Sequence, residues 1–276
     1  MRRLRRLLAK RSTRWSERAF VAEGPELLRA ALGAAVVPES VYVAAGAAAD
    51  PAVATVVAAA LAAGSRVFDL APGVAERVAD TVTAQSLFSV VPMVDVALDA
   101  LEPLELAVVC VDVRDPGNAG TVLRTADAAG AGAVICCGGT VDPFNPKTVR
   151  SSAGSVFSVP LVVVPEAADA LGALARRGVR CVGTAVHEGE DYASWDWHPP
   201  SALVLGNEAA GLAPALLGAL DGVVRIPMAG RAESLNVGVA CGVVCFEILR
   251  QRRDPAASPG STMPAMSETT RPKSGA

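Results

Sequence analysis

Histidine is almost absent from this sequence: only His187 and His198 occur among 276 residues, and neither forms a spaced pair with a cysteine. Zinc sites are built from cysteine and histidine ligands at short, regular spacings. The six cysteines instead all lie inside apolar segments: Cys110, Cys136, Cys137, Cys181, Cys241 and Cys245. The sequence therefore predicts no metal site, and it predicts buried, reduced thiols of the kind typical of cytoplasmic proteins.

Apolar runs long enough to cross a membrane are absent as well. The longest runs, such as residues 52–64, are shorter than the about 18–20 residues that span a bilayer. The arginine-rich N-terminus is not followed by the leucine-rich segment and small-residue cleavage site of a secretory signal. We therefore expect a soluble, cytoplasmic protein without membrane association.

The phosphate-binding loops of common nucleotide enzymes are also missing. No G-x-G-x-x-G segment follows the first strand of the second half, because Gly130 and Gly132 come only after the first helix there. A Walker lysine and a nucleophile elbow are absent too. A nucleotide-binding oxidoreductase remains an alternative, but one that lacks its phosphate loop.

The net charge of −3 conceals a strongly cationic N-terminus, which we call the basic arm (residues 1–18). Its only acidic residue is Glu17. Its basic residues are Arg2, Arg3, Arg5, Arg6, Lys10, Arg11, Arg14 and Arg18. Such a cluster can neutralise several phosphates and make binding salt-dependent. The alternative is a solvated helix face with no partner.

The first hundred residues predict a small α/β domain. It comprises the basic arm, an amphipathic stretch at 24–32, a helix at 51–63, and strands at 40–45, 66–70 and 86–94. Residues 95–105 are predicted to form a hinge to the next domain.

From Leu106 onward, strand-like and helix-like segments alternate. Strands are predicted at 106–112, 133–138, 157–164, 179–186, 202–206 and 223–228, and helices at 119–129, 166–177, 212–220 and 235–252. Apolar strands that alternate with helices are typical of a parallel sheet covered on both faces, with ligands bound beyond the carboxyl ends of its strands. We expect this domain at 101–253. A tail at 254–276, which is rich in proline and poor in large aliphatic residues, is predicted to be disordered.

Three polar stretches interrupt this apolar pattern. The first, at 112–131, places Asn118 as a candidate N-cap, with Arg124 and Asp127 on one helix face. An Arg124–Asp127 surface ion pair is the alternative there. The second, at 203–212, follows a strand that stops at Gly206. The third, at 225–242, offers Ser234 as the cap of the last helix and Asn236 in its first turn. An ordinary turn or capped helix is the alternative for the last two.

Taken in order, these stretches resemble a known family. The segments N-x-G-x-x-x-R (118–124), L-G-N-E-x-x-G-L (205–212) and I-P-M…S-L-N-V (226–237) are similar to the three motifs of the SpoU (TrmH-like) RNA ribose 2′-O-methyltransferases of the SPOUT superfamily. Residues 142–160 resemble the region between the first two motifs. Residues 18–28 and 80–91 are more loosely similar to that family's small substrate-binding domain.

The resemblance implies the architecture and the activity. The expected fold is a parallel sheet flanked by helices with a C-terminal deep trefoil knot, preceded by an L30e-like substrate-binding domain. The expected reaction is methyl transfer from S-adenosylmethionine to an RNA ribose 2′-hydroxyl, with ribosomal RNA favoured over transfer RNA. A non-catalytic RNA-binding protein on the same fold is the alternative. A homodimer is also implied, with Val239, Val243, Phe246 and Leu249 of the last helix in its interface.

The resemblance also assigns residues. The catalytic set is Arg124, Asn118, Glu208, Ser234 and Asn236. The cofactor-binding set is Thr184, Ala185, Leu205, Gly206, Ile226, Met228, Leu235 and Asn236. The RNA-binding set is Arg5, Arg11, Arg14 and Arg150. Family members are often assigned an arginine base at the position of Arg124. Since the pKa of arginine exceeds 12, a neutral form at pH 7 would cost more than about 7 kcal/mol. We therefore favour a charged Arg124 that grips phosphate and stabilises the developing alkoxide.

Overall fold

The computed structural model describes residues 1–78 and 85–253, so the predicted disordered tail at 254–276 lies outside the described residues. The N-terminal strands are β1 (Ala19–Glu23), β2 (Ser40–Val43), β3 (Arg66–Asp69) and β4 (Leu87–Pro92). The helices around them are α1 (Arg2–Ala9), α2 (Arg11–Glu17), α3 (Pro25–Gly33), α4 (Pro51–Ala62) and α5 (Val74–Val78). The strands form one sheet in the order β1-β4-β2-β3, in which only the β2–β3 pair is parallel. This part is the expected small α/β unit.

The basic arm is folded rather than extended. It forms the two helices α1 and α2, and α1 buries Leu4 and Leu7 against the first sheet. Arg14 is only 2% exposed, and its guanidinium forms a 2.6 Å ion pair with Asp142 and donates a hydrogen bond to the Leu7 carbonyl. The predicted contact between Arg14 and RNA is therefore wrong, because this cation is already used inside the protein. Arg5 and Arg11 are exposed.

The second part contains the predicted parallel sheet. Its strands are β5 (Leu106–Val111), β6 (Ala133–Cys137), β7 (Leu161–Val164), β8 (Arg180–Ala185), β9 (Glu190–Asp191), β10 (Ser201–Leu205) and β11 (Gly222–Arg225). They lie in the order β7-β6-β5-β10-β8-β11-β9, and every neighbouring pair is parallel. The prediction of a parallel sheet is confirmed.

Helices cover both faces of this sheet, as its apolar strands require. They are α6 (Pro116–Ala128), α7 (Pro146–Ser151), α8 (Ala167–Arg176), α9 (Pro214–Leu217) and α10 (Val237–Arg253). One face packs against α6, α7 and α10, and its core extends into the N-terminal part through Phe20. The other face packs against α8 and α9. The knot expected from the resemblance stays a prediction.

Several predicted boundaries were wrong, and most of the errors involve proline. The strand predicted at 157–164 begins only at Leu161, directly after Pro160, and a short 3₁₀ turn precedes it at Ser155–Phe157. The strand predicted at 223–228 ends at Arg225, because Pro227 cannot donate to a sheet ladder. The helix predicted at 212–220 is a single turn that starts at Pro214. Strand β1 was missed, since its five residues alternate too little to differ from loop.

The segment predicted as a hinge is not one. Within 95–105, the backbone N–H of Val96 donates to the Leu161 carbonyl at 2.8 Å, and the Leu104 side chain is 6% exposed in the core of the second part. The two parts also contact each other directly. The Phe20 and Phe144 rings lie 4.9 Å apart, centroid to centroid. Residues 95–105 therefore form a docked connection.

The six cysteines are free and buried, as predicted. Burial raises the pKa of the Cys137 thiol to about 12, which leaves it protonated and unreactive at neutral pH. Within the two described ranges, no helix combines the length and the apolar character that a membrane crossing requires.

Candidate functional site

The three polar stretches meet at the carboxyl edge of the parallel sheet. Strand β5 leads into α6, the neighbouring strand β10 ends at Leu205 just before Asn207 and Glu208, and α10 begins beside both. Because the carboxyl ends of parallel strands share one edge, residues far apart in sequence are brought together there.

Helix α6 begins one turn earlier than predicted. Its N-cap is Asp115, whose carboxylate accepts a hydrogen bond from the Asn118 backbone N–H at 2.9 Å. The prediction of Asn118 as the cap is wrong, because Asp115 and Pro116 together supply a stronger helix start. The Asn118 side chain is consequently free for contacts with other elements.

Helix α10 is capped by Asn236 rather than by Ser234. The Asn236 Oδ1 accepts hydrogen bonds from the backbone N–H groups of Gly238 at 2.9 Å and Val239 at 3.4 Å. The predicted cap, Ser234, lies two residues earlier, outside the helix. Asn236 therefore lies at the boundary of the helix, and its amide group points back toward α6.

A directed chain of hydrogen bonds links the three stretches. Asn236 Nδ2 donates to Asn118 Oδ1 at 2.8 Å, and Asn118 Nδ2 donates to Glu208 Oε1 at 2.9 Å. Each amide thus accepts on one side and donates on the other, from the N-terminus of α10 toward the Glu208 carboxylate. Bonds aligned in this way polarise one another, and the positive end of the helix lies at the start of the chain.

Glu208 is the acceptor at the end of this chain. Its carboxylate also accepts from the backbone N–H groups of Asp115 at 3.2 Å and Arg114 at 3.3 Å. Partial burial raises the pKa of Glu208, but the hydrogen bonds from Asn118 and from the backbone outweigh it, so the pKa lies below its ordinary value. Glu208 is therefore ionised at neutral pH and fixes the start of α6.

Close packing of α6 against α10 makes this chain possible. A Cβ atom on Gly238 would lie 2.7 Å from the Thr121 methyl carbon, so only glycine allows the two helices to approach this closely. The approach brings Asn118 within hydrogen-bonding distance of Asn236.

A cavity of about 480 Å³ opens beside this chain, at the ends of β8, β10 and β11. This volume is typical of small-molecule sites. Its apolar side includes Leu212, Ile226, Leu235 and Val244, and its polar side includes the carboxylates of Glu188, Glu208 and Glu233. The cavity is therefore suited to a ligand that combines an apolar group with a positive charge.

The loop after β10 forms one wall of the cavity. Its ends are joined by hydrogen bonds between the Asn207 and Gly211 backbones at 3.0 and 2.9 Å. A Cβ atom on Gly206 would lie 2.4 Å from the Gly211 carbonyl carbon. Any larger residue at 206 would push this wall away.

Most of the predicted cofactor residues line the cavity: Thr184, Ala185, Gly206, Ile226, Met228 and Leu235. Glu208 and Ser234 of the predicted catalytic set line it too. Leu205 does not, because its fully buried side chain points into the core beneath the cavity. Asn236 belongs to the hydrogen-bond chain instead.

Two predicted cationic residues lie outside the cavity. Arg124 is exposed on α6 and has no hydrogen bond or ion pair within residues 1–78 and 85–253. Arg150 forms a 2.6 Å ion pair with buried Glu23, which leaves its side chain 32% exposed. Arg124 is thus available to a ligand, whereas Arg150 first serves to join α7 to β1.

Sequence reasoning missed His187 and Glu188, which line the cavity directly after β8. Their position after the carboxyl end of a predicted strand was the available signal. They were overlooked because they belong to none of the three motifs.

Replacing Glu208 by glutamine is expected to lower the turnover of the site about tenfold to hundredfold. The amide would turn one acceptor into an N–H donor that faces the backbone N–H of Arg114 or Asp115. Turnover should be measured alongside ligand affinity, with Glu102→Gln as the matched carboxylate control, because Glu102 is exposed and does not line the cavity. Equal losses of turnover in both variants would contradict a specific role for Glu208.

The pH dependence of stability follows from the same carboxylate. The folded-state pKa of Glu208 is lower than its unfolded-state value of about 4.3. The contribution of the Glu208 carboxylate to the stability of the folded protein is therefore fully present above the unfolded-state pKa. It is lost as the pH falls through the folded-state pKa.

Comparison with protein families identifies this arrangement. Residues 105–246, which carry all three stretches, match the model of the SpoU rRNA methylase family. The chain belongs to the SpoU rRNA methylase family. Residues 1–89 match a second model, that of the MRM3-like substrate-binding domain. The sheet, the flanking helices and the N-terminal part therefore correspond to the architecture that the motifs implied, while the knot stays a prediction.

Two curated relatives of this SpoU protein are similar over about half of the chain. A 23S rRNA (guanosine(2553)-2′-O)-methyltransferase of Bacillus subtilis is 45% identical over 138 residues, or 49% of this chain and 54% of the relative. A 23S rRNA (uridine(2479)-2′-O)-methyltransferase of Streptomyces viridochromogenes is 43% identical over 142 residues, or 50% of each. The aligned region thus spans about half the length of these relatives.

Solved structures are similar over nearly the whole chain. An AdoMet-bound rRNA methyltransferase from Sinorhizobium meliloti has a TM-score of 0.81 and 34% identity, covering 91% of this chain and 94% of that one. The SpoU methyltransferase AviRb from Streptomyces viridochromogenes, in complex with AdoMet, has a TM-score of 0.82 and 30% identity, covering 91% and 97%. The N-terminal part is included in this likeness, since more than nine tenths of the chain aligns.

Proposed function

We propose that this protein transfers a methyl group from S-adenosylmethionine to a ribose 2′-hydroxyl of RNA, and that its substrate is ribosomal RNA. The observation that carries the proposal is that two of the SpoU stretches line one cavity, and that the first stretch is tied to both of them by the chain from Asn236 through Asn118 to Glu208. The names of the two relatives described above, both 23S rRNA 2′-O-methyltransferases, support the choice of substrate.

The residues of the cavity fit S-adenosylmethionine. Its apolar wall, with Ile226 and Leu235, suits the adenine ring, and the carboxylates of Glu188 and Glu233 suit the cationic part. When bound, this cofactor supplies a methyl group made electrophilic by a positively charged sulfur. The tight loop of residues 206–211 would hold it through backbone groups, and Gly206 allows the loop to close against Gly211.

Arg124 is assigned to the RNA rather than to the cofactor. Its exposed guanidinium, which no other described residue binds, is suited to a bidentate contact with a phosphate next to the target ribose. Held there, its charge would stabilise the alkoxide that develops as the 2′-hydroxyl attacks, while water takes the proton. Orientation of the sugar would supply much of the remaining acceleration.

Two measurements test this function. Calorimetry with S-adenosylmethionine should show binding at one site per chain, and labelled cofactor should transfer its methyl group to 23S rRNA. Mapping of 2′-O-methyl marks then identifies the nucleotide. Absence of cofactor binding would refute the proposal. Cofactor binding with label in transfer RNA would correct the substrate, and RNA binding without transfer would favour the non-catalytic alternative.

A homodimer formed through α10 is the second part of the proposal. Val239 and Phe246 lie two turns apart on one face of this helix and are 51% and 50% exposed, although both are apolar. Exposed apolar residues aligned on one helix face favour association with another protein surface. A second copy would cover them on both partners at once.

Phe246→Glu is expected to convert the dimer into a monomer, because it places a charge in each half of the interface. Sedimentation velocity measures the change in mass. Leu61→Glu is the matched control, since Leu61 is 61% exposed on α4, away from α10. A wild-type protein that sediments as a monomer would contradict the dimer.

A further inference from the structure

A second cavity, of about 400 Å³, lies at the same carboxyl edge of the sheet but over β6 and β7. Its inner wall includes Cys136, Gly138, Val163 and Val164, and its outer wall is formed by Arg11 and Trp15 of α2. The N-terminal and C-terminal parts of the chain thus build this cavity together. None of the three SpoU stretches contributes to it.

Trp15 is held firmly at the wall of this cavity. Its indole N–H donates to Asp142 Oδ1 at 3.3 Å, and its ring meets the edge of Phe144 at a centroid distance of 6.0 Å. Two guanidinium groups contact the same ring, with the Arg11 and Arg18 Cζ atoms 5.9 and 5.6 Å from its centroid. The result is a fixed aromatic ring with two cations beside it, of which Arg18 also forms a 2.6 Å ion pair with Asp95.

Cationic side chains also lie between the two cavities. Arg114, which is exposed after β5, has its Nε atom 3.9 Å from the position that a Cβ on Gly139 would take. Lys147 lies close by, with its Nζ 3.6 Å from Asp115 Oδ2. Given strand spacings of about 4.8 Å and the observed strand order, the two cavities are about 17 Å apart. A nucleic-acid strand along this edge would pass Arg114 on its way between them.

We propose that the second cavity binds an unpaired nucleobase of the substrate RNA, upstream or downstream of the methylated ribose. This inference rests on the proposed function and adds a substrate contact to it. Unpaired bases stack on aromatic rings and guanidinium planes, and the mostly apolar walls of this cavity suit the faces of a base. The free charges of Arg11 and Arg114 would bind the flanking phosphates.

The test uses Arg11→Ala and Trp15→Leu in the full-length protein. Arg11 is exposed, so its variant should fold normally, whereas the tryptophan variant retains an apolar side chain in the wall. Affinity is measured by fluorescence anisotropy for transcripts that tile 23S rRNA. We expect each variant to bind its best transcript about fivefold or more weakly than the wild type, because one stacked base contributes about that much. Affinity for S-adenosylmethionine should stay unchanged, because neither residue lines the first cavity.

Arg176→Ala is the matched control, because Arg176 is an exposed arginine at the end of α8, at the opposite edge of the sheet. As a direct readout, the transcripts carry 4-thiouridine, and crosslinked peptides are identified by mass spectrometry. Crosslinks to the peptide that contains Trp15 support the proposal. Affinities within twofold of wild type in both variants, or crosslinks only elsewhere, overturn it. A wild-type protein that crosslinks at Trp15 but transfers no methyl group would refute the reaction and leave this site standing.

Discussion

Arg124→Ala should reduce methyl transfer to RNA about 10³-fold while leaving the affinity for S-adenosylmethionine unchanged. Removing one preorganised charge from a developing oxyanion typically costs that much. The residue is exposed and does not line the cofactor cavity, so neither the fold nor the cavity should respond. Its loss should therefore appear in kcat and in RNA affinity alone.

Single-turnover rates with labelled cofactor measure the effect, and thermal unfolding checks the fold. Arg124→Lys keeps the charge but loses the planar fork, so we expect an intermediate rate. Wild-type rates in the alanine variant would end the proposed role.

Arg14→Met is expected to destabilise the protein by about 3–5 kcal/mol, the largest stability effect that we predict. The Arg14 and Asp142 side chains are both buried, and their charged groups are 2.6 Å apart. Removal of the cation leaves a buried carboxylate with only the hydrogen bonds from Trp15 and the Phe144 backbone. The unfolding midpoint should fall by about 10 °C.

A double-mutant cycle separates the ion pair from the packing. Arg14→Met combined with Asp142→Leu should recover much of the loss, because no unpaired charge remains. Arg29→Ala, which breaks the exposed pair with Glu26, should change stability by less than about 1 kcal/mol. If the single and double variants unfold at the same temperature, the ion pair is not what holds α2 in place.

The sequence predicted the parallel sheet well because its strands are short, continuous apolar runs separated by helical segments. It predicted the location of the cavity for a related reason: polar residues that follow such strands must lie at one edge of the sheet. Most errors in the strand boundaries came from prolines such as Pro160, which interrupt the ladder although the surrounding residues are apolar.

Contacts between residues that are far apart in the chain could not be predicted from the sequence. Arg14 looked like its neighbours in the basic arm, and only the fold brings it to Asp142, 128 positions away. The caps of α6 and α10 were misassigned for a local reason, since several adjacent polar residues could each have served. The hydrogen bond between Asn236 and Asn118 depends on a close approach of two helices that a glycine allows. A glycine in the sequence does not show which helix will pack against it.

The way in which the N-terminal helices dock on the second part has a consequence for the proposed binding of RNA. A buried ion pair and stacked rings hold the two parts at a set separation. The distance between the two cavities should therefore stay constant when RNA binds. The number of nucleotides between the anchored base and the modified sugar would then be dictated by the enzyme, and any bending needed to reach both would fall to the RNA.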